Sequence, residues 1–334
     1  MGLFMRACGA RVFMRAFGAS FALLAPSSAM ACACGCGIFD TGVTSITPQD
    51  SDSGLSAFVR FSPLDQDRNY EGGHKASADD NADKRIQTEF YTVGINYVIA
   101  HKWQILAELP VIHRNFTTTG ADAQGNPVIE KVPLTGLGDA LISVTYAGFS
   151  ADQSTGIGLG VKLPTGRSTG PFDRYGDLPY DRDTVPGTGS TDLQVSAYHV
   201  GKITPALRWF AHAQFRFAVA TRDAYRPGDE VDGAAGVTYD LRAGTTTLSP
   251  VLQVIGALRG RDSGDNSDPL NSGYQRVLLA PGLRVQLTRK LSVYGDVEFP
   301  IAQYVNAAGS PGDEGTAGQL VAPVMFKMQV NYGF

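Results

Sequence analysis

Tryptophan, cysteine and long apolar runs are all scarce in this chain of 334 residues, which contains 2 Trp and 4 Cys. After residue 31 no apolar run approaches the roughly 18 residues that a membrane-spanning helix requires. An excess of basic residues is also missing, since 28 Lys and Arg stand against 32 Asp and Glu. Apolar residues still make up 43% of the chain. A helical membrane protein, a disordered chain and a nucleic-acid-binding protein are therefore all disfavoured.

The first 31 residues have the composition of a secretory signal peptide. Arg6, Arg11 and Arg15 provide positive charge, and the apolar run 17–24 is followed by the small residues of 28–31. The run is too short to span a bilayer core of roughly 30 Å. We therefore predict an exported protein whose signal, residues 1–31, is removed; Met1, Met5 and Met14 are all open as the start.

Beyond residue 53 the sequence alternates apolar and other residues with a period of two, which indicates β-strands. Tyr91, Val93 and Ile95, for example, share one face, while Thr92 and Gly94 share the other. We predict twelve strands, at approximately 54–65, 86–100, 103–116, 137–149, 155–165, 190–200, 207–221, 230–241, 246–260, 274–287, 291–304 and 319–334.

The connections between these predicted strands alternate between tight turns and longer polar segments. The longer ones are 66–85, 117–136, 166–189, 222–229, 261–273 and 305–318. Outer-membrane barrels have short periplasmic turns and long outer loops, and lipid requires that every strand edge be paired. Residues 54–334 are therefore predicted to form an all-β fold, a transmembrane antiparallel β-barrel of about twelve strands in the bacterial outer membrane. The N-terminus would be periplasmic, and outer-membrane lipid would surround the barrel.

The last predicted strand alternates strictly and ends on Phe334. This resembles the terminal signal that the barrel-assembly machinery reads in bacterial outer-membrane proteins, so that machinery is an expected partner. The strand around Val59 and Phe61 would close the barrel against it, with Lys327 and Gln329 facing the lumen.

Three motifs resemble a known family. They are Gly136-Leu137-Gly138-Asp139, Leu163-Pro164-Thr165-Gly166 and Pro186-Gly187-Thr188-Gly189-Ser190-Thr191-Asp192. In this order they resemble the outer-membrane channel family of meta-pathway phenol-degradation transporters. The resemblance implies a channel or transporter barrel and does not assign the solute. By themselves the motifs indicate loop-to-strand junctions, in which Asp139 and Asp192 would cap turns.

Charged and polar residues of both signs fall on the predicted lumen face. The candidates are Arg60, Glu108, Asp139, Arg208, His212, Arg216, Asp232, Arg284, Asp296, Glu298 and Lys327. Buried charges need partners or water. The residues are therefore either a structural network that fills a narrow pore or a device for selectivity.

Three of the cysteines are clustered at Cys32, Cys34 and Cys36, in a predicted periplasmic segment 32–53. Their thiolates could bind a soft metal such as copper or zinc. Alternatively, two of them form a disulfide in the oxidising periplasm, or Cys32 carries a lipid.

These patterns predict a channel that passes small solutes, apolar or aromatic compounds among the candidates. The alternative is a barrel that partners a periplasmic metal or redox protein through the cysteine segment. An enzyme is not expected, because the His-x-Ser pattern of lipid-hydrolysing barrels is missing. The residues two after each histidine are Ala76, Trp103, Asn115, Gly201 and Gln214.

Overall fold

A computed structural model describes residues 54–169, 182–307 and 318–334. The predicted signal peptide and cysteine segment lie outside the described residues. The described strands are β1 (Gly54–Gln66), β2 (Arg68–Glu71), β3 (His74–Lys75), β4 (Asp83–Ile99), β5 (Trp103–Ala121), β6 (Pro127–Leu137), β7 (Ala140–Tyr146), β8 (Thr155–Leu163), β9 (Thr191–Lys202), β10 (Leu207–Ala220), β11 (Glu230–Tyr239), β12 (Leu241–Ala243), β13 (Thr246–Arg259), β14 (Tyr274–Gln286), β15 (Leu291–Val305), β16 (Gln319–Val321) and β17 (Met325–Gly333). Short 3-10 helices lie at Ala78–Asp80 and Arg182–Thr184. Within the described ranges, no helix has both the length and the apolar character needed to cross a membrane.

The strands form a closed antiparallel barrel with twelve positions. Around the ring the order is β1, β4, β5, β7, β8, β9, β10, β11, β13, β14, β15 and β17. Two positions in the ring are each shared by two strands. β7 pairs with the first part of β5 and β6 with the rest of it. In the same way, β11 and β12 pair with different parts of β13. The predicted all-β barrel with twelve strands is confirmed. The tight turns lie at one end, here called the short-turn end, and the longer connections lie at the long-loop end.

The barrel closes between its first and last strands. β1 pairs with β17 so that Val59 lies opposite Val330, and the Phe334 amide donates a hydrogen bond of 3.0 Å to the Leu55 carbonyl. Closure pairs the strand edges that would otherwise be open, which lipid could not satisfy.

The two faces of the wall differ as the period-two pattern predicts. Side chains on the outer face are apolar and exposed, including Leu159 at 65% and Ile95 at 51%, whereas Lys327 on the inner face is 2% exposed. On β4 and β5 the outer apolar belt ends at Tyr91 and Val111, and the next outward residues are polar. A continuous apolar belt of this size would not be tolerated on a water-exposed surface, so it faces lipid.

The prediction for residues 117–136 is wrong. Residues 117–136 were expected to be a loop, but β5 continues to Ala121 and returns as β6 through a turn in which Asp122 accepts the amide of Asn126 at 2.8 Å. Pro127 and Pro133 favour a loop in the sequence, because proline is rare in the interior of a sheet. Because β6 pairs only with β5 among the described residues, its prolines can occupy an edge strand without removing ladder hydrogen bonds.

The predicted last strand, 319–334, is also wrong as a single element. β16 leaves the wall and pairs with β2, which in turn pairs with β3. We call these three strands the lid sheet. Pro323, which has no amide hydrogen, lies in the break before β17. The wholly buried Gln319 side chain donates to the carbonyls of Gly273 (3.3 Å) and Asn306 (2.5 Å), which draws β16 inward over the long-loop end.

Gly94 provides a test of the packing inside the wall. It faces the lumen opposite Phe58, and a Cβ atom placed on it would lie 2.1 Å from that ring. Gly94→Val is expected to lower the free energy of unfolding by about 1–3 kcal/mol, as overpacking does. Samples are heated to a series of temperatures before gel electrophoresis, and the melting temperature is the one at which the band of the folded barrel disappears.

Gly256 is the matched control for this substitution. A Cβ atom on it meets nothing within 4 Å, and valine favours strands. Gly256→Val should leave the melting temperature unchanged or raise it. Equal losses for the two variants would contradict the close packing of Phe58 on Gly94.

Candidate functional site

The barrel encloses a cavity of about 310 Å³ on one side of its lumen. The cavity is lined mainly by the inward faces of β5, β7, β8, β9 and β10. Residues from these strands include Leu106, Glu108, Ser143, Gln194, Ser196 and His212.

Beside the cavity, β8 has glycine at three successive inward positions, Gly156, Gly158 and Gly160. The side chains of neighbouring strands lean over this bare backbone. A Cβ atom on Gly156 would lie 2.2 Å from the Tyr198 ring, and one on Gly158 would lie 2.5 Å from the Ser196 hydroxyl. Because these glycines have no side chains, Tyr198 and Ser196 can pack directly over the β8 backbone.

The opposite side of the lumen is filled. Tyr294 is 1% exposed and donates from its hydroxyl to Asp296 at 2.6 Å. The Lys327 ammonium lies 3.0 Å from Glu298, and both side chains are at most 4% exposed. Strands β13, β15 and β17 thus supply a solid polar core beside the cavity.

A cluster of buried side chains lies toward the short-turn end, and Tyr198 connects it to the cavity. Phe210, Val251 and Tyr294 are buried together, and Tyr198 packs against them. The Tyr198 hydroxyl donates to the Gln153 carbonyl at 3.0 Å, which fixes the ring over the backbone of β8. We call Tyr198 and Phe210 the aromatic floor.

A folded-in segment, residues 182–190, closes the cavity toward the long-loop end. We call it the inward loop. Thr184 and Val185 are 1% and 4% exposed, and the Arg114 guanidinium donates to the Thr184 carbonyl at 2.7 Å. Arg182 extends the closure, because its guanidinium lies 4.7 Å from the Tyr225 ring centre and 3.3 Å from Asp223.

Lys162 joins the inward loop to the wall. Its ammonium lies 2.8 Å from Asp139 and 3.0 Å from Asp192, and all three side chains are at most 10% exposed. The Thr188 amide donates to the same Asp139 carboxylate at 3.0 Å. We call this cluster the latch, since it ties β7, β8 and β9 to the inward loop.

The latch also explains why the three sequence motifs occur together. Asp139 belongs to the first motif and Thr188 to the third. In the second motif the Thr165 hydroxyl donates to the Gly138 carbonyl at 2.9 Å. Gly187 and Gly166 approach so closely that a Cβ on Gly187 would lie 2.6 Å from the Gly166 backbone. The motifs meet at one junction, although they lie as many as 56 residues apart in the chain.

The structure places several predicted lumen residues beside the cavity. Arg60 and Glu108 form an ion pair at 3.0 Å. Arg216 pairs with Glu230, whose carboxylate also accepts the Tyr274 hydroxyl at 3.0 Å. His212 lines the cavity, and its buried Nδ1 atom has no hydrogen-bond partner among the described residues.

The other predicted lumen residues lie elsewhere. Asp232 is 1% exposed and accepts a bond of 3.3 Å from Gln214. Arg208 pairs with Asp240 at 2.9 Å and Arg284 donates to Gln286 at 2.9 Å, both near the short-turn end. Asp296, Glu298 and Lys327 belong to the filled half described above.

The sequence interpretation missed three residues that shape the site, namely Lys162, Arg114 and Tyr198. The period of two places Lys162 on the glycine face of its strand, so it could have been assigned to the lumen. Its contacts with Asp139 and Asp192 depend on strand neighbours and could not be read from the pattern.

The metal interpretation rests on Cys32, Cys34 and Cys36, which lie outside the described residues. Within the described residues, no group of three or more His, Cys, Asp and Glu side chains is placed to bind a metal. Copper or zinc binding by the cysteines stays a prediction.

No known protein family and no curated protein matches this chain by sequence. Among solved structures, an outer-membrane channel from Pseudomonas putida F1 is similar with a TM-score of 0.61 and 12% identity, over 86% of this chain and 100% of that chain. The monoaromatic hydrocarbon channel CymD matches with a TM-score of 0.45 and 10% identity, over 89% and 94%. The P. putida toluene transporter TodX matches with a TM-score of 0.44 and 8% identity, over 88% of this chain and 95% of that chain. The first similarity shows that the fold is that of an outer-membrane β-barrel. The narrower resemblance to phenol-degradation transporters stays a prediction.

Proposed function

We propose that this protein is an outer-membrane channel for small solutes, including apolar or aromatic ones. The observation that carries the proposal is the closed barrel itself, which has an apolar outer face and encloses a cavity of about 310 Å³ with both polar and apolar lining. The similar barrel from P. putida F1 is described as an outer-membrane channel.

The size of the cavity supports a small solute. A cavity of about 150 Å³ is sufficient for benzene in a protein interior. The present cavity is about twice that size. Twelve strands also place the barrel between side-chain-filled small barrels and open porins. A single aromatic ring with a substituent would therefore fit.

Passage requires two movements. The inward loop covers one end of the cavity and the aromatic floor covers the other. A solute would enter when the inward loop moves and leave when the Tyr198 ring turns away from β8. Gating by loops and side chains of this kind is common in transport and catalysis.

We place the long-loop end outside the cell and both chain termini in the periplasm, as in known outer-membrane barrels. Strand β17 would then present Phe334 to the barrel-assembly machinery. That the chain has no enzymatic activity stays a prediction.

Tyr198 provides the experiment for this proposal. Tyr198→Ala removes the ring from the floor, so small-solute permeation into proteoliposomes should rise several-fold, because hydrophobic constrictions control passage. The measurement is the swelling rate of vesicles containing the purified barrel, with the rate of protein-free vesicles subtracted.

Tyr198→Phe is the matched control. It keeps the ring and removes only the hydroxyl that donates to the Gln153 carbonyl. Its permeation should stay much closer to that of the unmodified protein. A barrel that passes no small solute, even with Tyr198→Ala, would contradict a channel function.

A further inference from the structure

Each cationic side chain that lines the described part of the cavity contacts at least one carboxylate. Arg60 is the example on β1: its guanidinium lies 3.0 Å from Glu108, and the two side chains are 9% and 12% exposed. The pair crosses from β1 to β5 at the edge of the cavity.

The other four cationic side chains of the described lining follow the same rule. Their carboxylate contacts are Lys162 with Asp139 and Asp192, Arg182 with Asp223, Arg216 with Glu230, and Arg259 with Asp262. The Arg259–Asp262 distance is 2.7 Å and the Asp262 side chain is 2% exposed. All five cationic side chains of the described lining therefore already have a carboxylate partner, and Lys162 has two.

Unused hydrogen-bonding capacity in the cavity is found on neutral side chains. The Ser62 residue is 2% exposed, and its hydroxyl has no hydrogen-bond partner among the described residues. His212 Nδ1 is in the same situation. Gln104, Ser143, Thr145 and Ser196 also line the space. The wall can therefore accept or donate a hydrogen bond without separating an ion pair.

We propose that the cavity selects uncharged solutes over their ionised forms. This rests on the proposed channel function. An ion entering the cavity would lose water and would either stay unpaired or break an existing pair, and both are costly in a buried site. An uncharged ring with one polar substituent needs only a neutral hydrogen bond, and the apolar lining accommodates its ring. The ligand class is a small uncharged, partly apolar molecule.

Three isosteric solutes test the selection: benzamide is neutral, benzoate is an anion and benzamidinium is a cation. Their entry into proteoliposomes at neutral pH is measured with protein-free vesicles subtracted. Benzamide should enter about tenfold faster than either ion, as expected for a modest difference in transfer free energy.

Substitutions in the Arg60–Glu108 pair should change this preference in opposite directions. Glu108→Gln removes the carboxylate that contacts Arg60 in the cavity wall and should raise benzoate entry. Arg60→Gln should raise benzamidinium entry instead. The double variant has neither charge and should again favour benzamide.

Arg85→Gln is the control for an ion pair outside the cavity. Arg85 contacts Asp65 at the long-loop end, where the two side chains are 48% and 44% exposed. The solute preference of the Arg85→Gln variant should match that of the unmodified protein.

The outcomes separate the two proposals. If the unmodified barrel admits all three solutes equally, or if the two single variants do not shift toward opposite ions, the selection for uncharged solutes is wrong while the channel function stands. If all three solutes are excluded even with Tyr198→Ala, the channel function itself is wrong.

Discussion

Lys162→Met is expected to lower the free energy of unfolding by about 3–5 kcal/mol, the usual cost of removing one partner from a buried ion pair. The substitution leaves the Asp139 and Asp192 carboxylates, which are 6% and 5% exposed, without their shared cation. Methionine keeps a similar side-chain length, so the effect comes from charge more than from volume.

The same substitution should also loosen the inward loop. Thr188 donates to Asp139 through its amide and its hydroxyl, at 3.0 and 2.8 Å. When the two carboxylates repel each other, this attachment is disturbed and the closure over the cavity weakens. We expect a larger and noisier single-channel conductance together with a lower melting temperature in the electrophoretic assay.

Two comparisons isolate the cause. Arg85→Met breaks an ion pair whose side chains are 48% and 44% exposed, and such pairs contribute only about 0–1 kcal/mol. Adding Asp139→Asn to Lys162→Met removes one of the two uncompensated charges and should recover part of the stability. If Lys162→Met behaved like Arg85→Met, the latch would have no role in holding the structure together.

Ile95→Arg tests whether the outer face of the barrel lies in lipid. Ile95 is 51% exposed and lies midway along the apolar belt of β4. An arginine at the bilayer midplane of a β-barrel costs about 2–4 kcal/mol. The variant should therefore fold into phospholipid vesicles with a correspondingly lower free energy, measured by urea titration of tryptophan fluorescence. Trp103 and Trp209 are both on the outer face, at 47% and 38% exposure, and would report the transfer.

Gln87→Arg is the matched control, because Gln87 lies on the same face of the same strand, beyond Tyr91. A charge near or outside the membrane interface costs about 0–1 kcal/mol. The two variants thus introduce the same side chain at different depths in the membrane. Equal effects would show that the apolar belt does not define a membrane-embedded zone.

The strand pattern could be predicted from the sequence because it depends on local geometry. Successive side chains of a strand point to opposite faces, so the exposed Ile95 and the buried Lys327 follow directly from their positions in alternating runs. Where proline interrupts the pattern the prediction fails. Pro133 favoured a loop where the structure has the edge strand β6. β16 leaves the wall because the Gln319 side chain donates to the carbonyls of Gly273 and Asn306, and these contacts join parts of the chain that are distant in sequence.

The sequence by itself determined the number of strands in the wall, the face that each residue takes and the pairing of the last strand with the first. It also placed Asp139 and Arg60 on the lumen face. Only the tertiary structure decided that Lys162 joins Asp139 and Asp192, that residues 182–190 fold inward and that the cavity lies against β5, β7, β9 and β10. The reason is that a strand's face depends on its own alternation, whereas contacts across a barrel depend on which distant strands become neighbours and how closely their side chains approach.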